Sequence, residues 1–567
     1  MNVSADVAVI GGGLGGCAAA LAAAGRGLRV VLTEATDQVG GQVTSQLVSA
    51  LDEHPDVETF PGTATYGAFR DAVRTASGGQ LNPGEGWVSR LCFEPAVGRR
   101  VLETLLDQAG VRVLTGIASA AVTLTAGSLR KVTFTDGTVV EASLFCDATE
   151  LGDLLPLAGA PWVTGSEGPV FGEEHALAQP DPLAMQACTW SFVVEHVPGA
   201  TFEPVRRPGS YHRWADRFAF DVPGWDGRTH RFRMFVDGPD GRPPFWSYRR
   251  LSHDPDVALI NWVSNDYADA SLVHEPERAR RESREQSLSF LHWLQTQAPH
   301  DDGSGAGFRS LRLAPAVAGT ADGLAAFPYV RESRRLRTAG PVRGTDLAPV
   351  PGRARAKAMP DAVGVAQYHI DFHPRVGHPD TVYAATAPFQ IPMRALIADR
   401  PVNLLAAAKN LAATQVAAAA YRVHSAEWSV GEAAGTLAAY CAARGLTPAT
   451  VLDQPGHRLA VQRALVVGGA AIAWTTDIPP SDPLFPAAQL LTAAGGLAGE
   501  RRERLEVCPE DLAGDRDRAT LHAAGERLAA GPLRPPNVAT ATGRTTWRDL
   551  TAAYAEKLGL THPGGTT

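Results

Sequence analysis

The sequence predicts an α/β protein with a nucleotide-binding domain, an inserted α+β domain and a small C-terminal helical appendage. Near the N-terminus, a valine-rich strand pattern leads into a glycine-rich turn and an alanine-rich helix. Two later strand patterns, ending near residues 147 and 406, suit the same parallel sheet, and short helical patterns follow residue 450. We place the boundaries at residues 1–160, 161–400, 401–450 and 451–567.

Composition excludes several classes of protein. The 567 residues are 45% hydrophobic and 20% charged, which is typical of a globular chain. The 52 Lys and Arg against 60 Asp and Glu give a net charge of −8, which disfavours a nucleic-acid partner. No run of about 18 apolar residues predicts a membrane span, and no signal-peptide pattern opens the chain. We therefore expect a cytoplasmic protein.

The cysteine pattern argues against metal and disulfide chemistry. The six cysteines are widely scattered, and none forms a CxxC pair. Zinc sites and iron–sulfur clusters need closely spaced thiolates, and six scattered cysteines would stabilise a chain of this size little. We predict no metal site and no disulfide framework.

The first strand pattern ends in a dinucleotide-binding motif. Residues 6–10 (DVAVI) are followed by Gly11, Gly13 and Gly16, which form GxGxxG. The first glycine allows the tight turn, the second lets a pyrophosphate approach the backbone, and the third lets helix and strand pack closely. Leu14 would open the helix, whose free N–H groups would face the phosphates. The alternative is a glycine-rich turn that only connects strand and helix.

A ribose-binding acid and a second glycine pair follow at suitable distances. The strand pattern at residues 28–33 ends at Glu34, whose carboxylate can accept hydrogen bonds from ribose hydroxyls. Gly40 and Gly41 come next, followed by Gln42. Residues 7–42 resemble the opening of the glutathione-reductase-like FAD superfamily. The resemblance implies that Gly41 and Gln42 contact FAD, with NAD as the alternative cofactor.

A returning strand carries a second point of resemblance. Residues 111–140 read as a hairpin-rich excursion with a turn at Asp136-Gly137. The next strand leads into Asp147, within a DATE sequence that resembles the DATG-type segment of these flavoproteins. Glu150 replaces the usual glycine. It would place a carboxylate near the flavin, or merely supply an acid to a helix start.

A third segment closes the predicted nucleotide fold. Residues 402–406 read as a strand, Lys409 and Asn410 as its turn, and residues 426–443 as a helix. By resemblance, Asn410, Ala434 and Gly435 belong to the cofactor site, with helix-start amides facing the pyrimidine edge of the flavin. Such amides would stabilise negative charge on that edge. The alternative is that the small residues only permit close helix packing.

The order of these segments matters more than any one of them. It resembles that of glutathione-reductase-like and fumarate-reductase-like flavoproteins over about residues 1–450. The resemblance implies a Rossmann-like FAD-binding domain of the GR2 type, with noncovalent FAD and an inserted substrate domain.

The predicted insert combines aromatic residues with arginines. Such stretches occur at residues 210–220, 245–250 and 261–267, and could line a pocket for an anionic ligand or form ordinary strand faces. Part of the charged run at residues 331–335 could enter a cleft from a strand end, but the run reads more readily as a solvated face. Alternation over residues 368–373 would place three polar side chains on one strand face. These are His369, Asp371 and His373, a metal set or, better, a hydrogen-bonded or acid–base group.

The best catalytic candidates precede the closing helix. Tyr421, Arg422 and His424 would lie on the flavin side of the site, together with His369 and Asp371. A histidine could take a proton while arginine orients an anionic group. Alternatively, His424 only caps or packs against the helix start.

The sequence therefore predicts an FAD-dependent oxidoreductase that transfers a hydride between a small polar substrate and FAD. The alternatives are a fumarate-reductase-like C=C reductase, an oxidase, or a non-redox binding protein that retains the fold. The substrate, the direction of the reaction and the electron acceptor or donor are left open.

Overall fold

The computed structural model describes residues 1–224, 228–538 and 544–560, which form a mixed α/β protein. Its centre is a five-stranded parallel sheet. In spatial order the strands are Leu404–Ala406, Leu144–Asp147, Val7–Ile10, Val30–Thr33 and Arg112–Leu114. The strand order reverses beside Val7–Ile10, and such a reversal opens a crevice at the carboxyl ends of the strands. The predicted glycine turn begins after the strand Val7–Ile10, and Asp147 ends the neighbouring strand, so both lie at the carboxyl ends of strands beside this reversal.

Two helices rich in small residues pack against the parallel sheet and against each other. The first helix, Leu14–Ala24, packs along the closing helix, His424–Arg444. A Cβ at Gly431 would lie 1.9 Å from the carbonyl oxygen of Gly15. The two backbones therefore touch, and a larger residue would push the helices apart.

A second sheet flanks the first, as the hairpin-rich excursion predicts. Its strands are Asn2–Ser4, Ser119–Thr125, Ser128–Phe134 and Val139–Glu141. The last two are joined through Asp136-Gly137, where Gly137 has a φ of +82°. Asp136 accepts hydrogen bonds from the N–H and the hydroxyl of Thr138, which stabilise the turn.

The inserted region has an antiparallel sheet and its own aromatic core. Strands Phe192–His196, Arg250–His253, Asp256–Ile260 and Leu311–Leu313 form the sheet, and the helix Pro276–Thr296 packs nearby. Most aromatic residues of the three predicted pocket stretches are buried in this core. They include Tyr211, Trp214, Phe218, Phe220, Phe245, Trp246 and Trp262. These seven aromatic residues therefore pack as ordinary core and do not line a pocket.

The C-terminal helices share the core of the nucleotide-binding part. Trp474, Leu490, Leu521 and Tyr554 belong to the same cluster of buried apolar side chains as the central strands. The helices concerned are Phe485–Ala493, Glu500–Glu503, Asp515–Ala529 and Trp547–Lys557. The short helical patterns predicted after residue 450 correspond to helices of this segment.

Shorter elements complete the fold. The remaining helices are Ala64–Ala76, Pro95–Gln108, Leu154–Leu157, Pro315–Ala318, Gly344–Leu347, Gln415–Tyr421, Pro448–Asp453 and Pro455–Val467. The remaining strands are Trp162–Val163, Cys188–Thr189, Val222–Pro223, Thr229–His230, Asp266–Tyr267, Arg335–Leu336, Ala362–Ala366, Ile370–Phe372, Val382–Ala384 and Phe389–Pro392. In the described part of the chain, no helix combines the length and apolarity needed to cross a bilayer.

Candidate functional site

The predicted glycine turn brings three backbone segments into contact. Gly11 has a φ of +105°, and a Cβ there would lie 2.2 Å from the carbonyl oxygen of Ala148. A Cβ at Gly16 would lie 1.9 Å from the carbonyl oxygen of Gly11. The first helix begins directly afterwards at Leu14, with Gly13 at its N-cap position. Gly11 and Gly16 therefore have no room for a side chain, and at the start of the helix the N–H of Gly15 donates to Glu427 at 3.4 Å.

The predicted ribose acid lies beside this turn. Glu34 accepts a 2.7 Å hydrogen bond from the N–H of Gly12, and hydrogen bonds of 2.8 and 2.9 Å from the N–H and hydroxyl of Thr36. Burial raises the pKa of Glu34, while these hydrogen bonds oppose the shift. A cleft of about 360 Å³ runs past Gly11, Glu34 and Thr149. Its shape and acceptor suit the adenosine end of a dinucleotide.

The glycine pair Gly40 and Gly41 packs against the GxGxxG turn. Gly40 and Gly41 have φ values of +110° and +49°, and the N–H of Gly40 donates to the carbonyl of Gly12 at 2.7 Å. Gln42 follows, fully buried, and its Nε2 donates to the carbonyl of Arg422 at 3.2 Å and to Glu427. Its Oε1 is buried without a hydrogen-bond partner among the described residues. We call the region formed by residues 11–16 and 40–42 the glycine cradle.

A buried ion network lies on the glycine cradle. Lys409 donates to Glu150 at 2.7 Å and to Glu427 at 3.1 Å. Burial opposes the charge on Lys409, but the two carboxylates raise its pKa. Glu150 Oε1 lies 2.4 Å from a Cβ built at Gly41 and 2.8 Å from one built at Gly13, and it is buried without a partner in the described chain. Glu150 therefore lies against the glycine cradle, beside Gly13 and Gly41.

Lys409 and Glu427 are absent from the predicted site residues. One signal was available for Lys409: it is one of four lysines in the chain and directly follows the closing strand. No local pattern marks Glu427. Its position becomes meaningful only when the closing helix begins at His424, two residues earlier than predicted.

Asn410 connects the segment after the closing strand to Asp147, whose Oδ1 is hydrogen-bonded and whose Oδ2 is buried without a partner among the described residues. Asp147 accepts hydrogen bonds from the N–H and hydroxyl of Thr149 at 3.0 and 2.7 Å, and burial raises its pKa to about 7. The Asn410 amide donates to the carbonyl of Asp147 at 3.0 Å and accepts from the N–H of Ala408 at 3.3 Å. Both ends of the Asn410 side chain are thus occupied within the protein. The predicted cofactor contact of Asn410 is replaced by a structural one.

Ala434 and Gly435 are corrected to packing residues. They lie ten and eleven residues past His424, so Ala434 is about 15 Å along the closing helix from its start. A Cβ at Gly435 would lie 2.1 Å from the carbonyl oxygen of Ala19 in the first helix. The helix-start amides belong to the residues around His424, and the small residues here serve close helix packing.

His424 and Tyr421 are also corrected to structural residues. The Nε2 of His424 donates to the carbonyl of Val48 at 2.9 Å, and its Nδ1 accepts from the N–H of Asp52 at 3.0 Å. Burial lowers its pKa to about 4, so the ring is neutral and has no free nitrogen for acid–base work. The hydroxyl of Tyr421 donates to the carbonyl of Gln390 at 2.6 Å, deep in the core.

Arg422, by contrast, lies in a buried polar cluster. Its guanidinium donates to Asp371 at 2.6 Å and to the hydroxyl of Tyr329 at 3.0 Å. His373 lies 3.5 Å from the same Asp371 carboxylate. Although burial alone would raise the pKa of Asp371, His373 and Arg422 hold it below its usual range. Two of the predicted catalytic residues, Arg422 and Asp371, are thus brought together.

The cluster continues through His373 to residues that the sequence did not single out. His373 Nδ1 lies 2.5 Å from Asp266, which pairs with Arg331 at 3.0 Å. Burial and Arg331 lower the pKa of His373, but Asp266 and Asp371 outweigh them and raise it. Arg331 is only 4% exposed, so the prediction of a solvated face at residues 331–335 is wrong.

His369 lies at the edge of this cluster. It is partly buried, its ring centroid lies 4.4 Å from that of Tyr383, and its Nδ1 has no hydrogen-bond partner among the described residues. Burial lowers its pKa, and Asp371 opposes the shift. His369 therefore keeps a buried ring nitrogen without a hydrogen-bond partner among the described residues, which His424 lacks. In the described ranges, no group of three metal-ligating side chains could hold a metal ion.

A third arginine, Arg249, joins the cluster from the position just before the strand Arg250–His253. Arg249 is buried beside the ring of Tyr248, 5.1 Å from its centroid, and lies 3.7 Å from Asp52. Its guanidinium also approaches the carbonyl of Ala50, in the segment that follows the glycine pair. We call this set the arginine–tyrosine cluster. It comprises Asp52, Tyr248, Arg249, Asp266, Tyr329, Arg331, Tyr368, Asp371, His373 and Arg422.

Comparison with known proteins identifies a family but no specific relative. A family model described as FAD dependent oxidoreductase matches residues 6–465. The comparison with curated proteins gave no match.

Solved structures show only distant likenesses. The Diels-Alderase PyrE3 is 17% identical, with 39% of this chain and 42% of that chain covered and a TM-score of 0.23. A geranylgeranyl bacteriochlorophyll reductase-like protein from Thermoplasma acidophilum is 18% identical, with 35% and 47% covered and a TM-score of 0.20. The amino acid oxidase NikD is 19% identical, with 35% and 59% covered and a TM-score of 0.22. The chain thus spans about half the length of these proteins, and likenesses of this size carry nothing about its substrate.

The family match covers most of the chain and includes the glycine cradle, Glu34 and the closing helix. It confirms the predicted cofactor and the predicted resemblance. The chain belongs to the FAD-dependent oxidoreductase family, and its cofactor is FAD.

Proposed function

We propose that FAD lies along the glycine cradle, with its adenosine end in the cleft beside Glu34 and its flavin end toward the arginine–tyrosine cluster. The observation that carries this proposal is Gln42, which contacts both regions: it bonds Glu427 at the cradle and the backbone of Arg422 at the cluster. A substrate held at the cluster would therefore lie beside the cofactor. The division into a nucleotide-binding part and an inserted substrate part remains our prediction.

We propose that the reaction is hydride transfer with a small polar substrate. Bound FAD would supply a two-electron acceptor or donor. In an oxidation, the chain must take up the proton that leaves the substrate heteroatom while the hydride leaves its carbon. His369 suits that role because its lowered pKa keeps the ring neutral and its Nδ1 has no partner among the described residues. Electrons would then pass to an acceptor that the sequence and structure do not identify.

A non-redox binding protein is the second candidate, and Glu150 favours it. Its unpaired carboxylate oxygen lies on the cradle where a pyrophosphate would approach. Like charges at this distance repel unless Glu150 turns away or is protonated. A protein that had lost redox function could retain such a carboxylate.

A fumarate-reductase-like reduction of a C=C bond needs the same cofactor and a proton donor in place of an acceptor.

Anaerobic substrate screening tests the redox proposal. The FAD-loaded protein is mixed with small polar alcohols, amines and hydroxy or amino acids, and the visible flavin absorbance is followed. Bleaching by one of these compounds supports oxidation. In the His369→Asn variant, the rate should fall and its pH dependence should flatten, whereas Glu103→Gln, at an exposed helix pair, should match the wild type.

If no compound bleaches the flavin, reoxidation of dithionite-reduced protein by unsaturated acids is followed instead. A positive result there supports the C=C reductase. Failure of both assays with FAD bound would overturn the redox proposal.

A further inference from the structure

The arginine–tyrosine cluster contains more cationic donors than its own acceptors satisfy. Arg249, Arg331 and Arg422 are each less than 10% exposed. In all three, the Nε atom is buried without a hydrogen-bond partner in the described chain. Buried polar groups are nearly always paired, because an unpaired one costs roughly 1–3 kcal/mol. Three unpaired guanidinium nitrogens in one cluster indicate a missing acceptor.

The charges of the cluster lead to the same conclusion. Three guanidinium groups face three carboxylates, those of Asp52, Asp266 and Asp371, and the last two raise the pKa of His373 and so favour a fourth positive charge. The neighbouring network of Lys409 with Glu150 and Glu427 belongs to the cradle, and Gln42 separates it from Arg422. One positive charge in the cluster is therefore left for a ligand.

Tyr329 contacts two of the three arginines, Arg422 and Arg331. Its hydroxyl accepts from Arg422 at 3.0 Å, and the guanidinium of Arg331 lies 5.0 Å from its ring centroid. Tyr368 lies on the other side of Arg422, whose guanidinium is 5.8 Å from that ring centroid. An aromatic surface next to guanidinium groups suits a planar anion.

The cluster reaches solvent along one hairpin. Asp371 lies in the strand Ile370–Phe372 and His373 directly follows it, and their side chains are 19% and 20% exposed. Tyr383, on the paired strand Val382–Ala384, is 43% exposed. A small ligand can therefore approach the buried arginines from this edge.

We infer that the arginine–tyrosine cluster binds the carboxylate group of a monoanionic substrate, with Arg249 and Arg422 as its main donors. A guanidinium can hold a carboxylate through two parallel hydrogen bonds, which fixes the orientation of the rest of the molecule. The inference rests on the proposed function for the identity of the ligand as a substrate. The anion site itself depends only on the side chains of the cluster.

Isothermal titration calorimetry with benzoate tests the inference directly. Benzoate is compared with neutral benzamide and with inorganic phosphate, each titrated into the full-length protein with and without FAD. We expect benzoate to bind at a 1:1 ratio and at least tenfold more tightly than benzamide or phosphate. Equal affinity for benzoate and benzamide, or tighter binding of phosphate, would overturn the carboxylate assignment. This comparison uses only the wild type, so it does not depend on any variant folding.

Variants then locate the site. Arg249→Gln and Arg422→Gln should each weaken benzoate binding at least tenfold, whereas Arg312→Gln, at an exposed pair with Glu195, should leave it unchanged. Unchanged binding in a folded Arg249→Gln variant would overturn the inference. Benzoate binding by a protein that takes no FAD would refute the proposed function alone, and FAD binding without benzoate binding would refute this inference alone.

Discussion

The glycine cradle and the arginine–tyrosine cluster are both buried polar regions, but they are built in opposite ways. The cradle is made of backbone: Gly11, Gly16 and Gly41 bring three chain segments into contact, and few side chains take part. The cluster is made of side chains that the tertiary fold collects from distant segments, such as Arg249 and Arg422. A site made of backbone needs glycine at fixed spacings, whereas a site made of side chains needs only that the fold brings them together.

One added methyl group tests the close backbone contact between the first helix and the closing helix. Gly435→Ala would place a Cβ 2.1 Å from the carbonyl of Ala19, so the two helices must separate. We expect a loss of several kcal/mol, about 3 or more, in the free energy of unfolding. Gly456→Ala is the matched control, because it also lies in a helix but has open space around it. It should stabilise the protein by up to about 1 kcal/mol. Denaturant unfolding measures both, and equal effects would contradict close helix contact.

The structural role of His424 can be tested through the pH dependence of the free energy of unfolding. Its folded-state pKa of about 4 lies below the ordinary value of 6.5, so the folded protein binds fewer protons between these values. Stability is therefore complete above about pH 6.5 and falls as the pH falls toward 4, by about 3 kcal/mol for this residue. Unfolding curves at several pH values should be flatter for His424→Gln, while His253→Gln, at an exposed site, keeps the wild-type slope. An unchanged slope in His424→Gln would restore it as a catalytic candidate.

Glu34, which we propose as the ribose contact, borders the glycine cradle. Glu34→Ala removes a buried carboxylate that accepts three hydrogen bonds and borders the cleft. We expect FAD binding to weaken by about tenfold to a hundredfold, which corresponds to roughly 1.5–3 kcal/mol. Quenching of flavin fluorescence on titration into apoprotein measures the change, with Glu103→Ala as the exposed control. An affinity equal to that of the wild type would place the adenosine end elsewhere.

Replacing Glu150 should change the affinity for FAD less than replacing Glu34 does, and in the opposite direction. Glu150→Gln removes a carboxylate from the cradle and releases Lys409 from one of its two partners. We expect FAD to bind up to about tenfold more tightly, because repulsion of the pyrophosphate is removed. The same fluorescence titration applies. Weaker binding would mean that Glu150 takes part in holding the cofactor.

The difference between the two regions also explains what the sequence could predict. The sheet segments, the glycine cradle and Glu34 follow from local patterns, because strand, turn and helix are consecutive there. The roles of His424 and Asn410 were mistaken because their partners, such as Val48 and Asp147, are hundreds of residues away. Arg331 was assigned to a solvated face because no local feature shows that Asp266 lies beside it.

The most direct test of the account is the visible absorption spectrum of the purified protein, with the chromophore identified after denaturation. The account predicts a yellow protein that releases FAD at one equivalent per chain, and a Glu34→Ala variant that purifies with less. A colourless wild-type protein that gains no flavin absorbance on incubation with FAD would contradict the proposal that the glycine cradle holds the cofactor beside the arginine–tyrosine cluster.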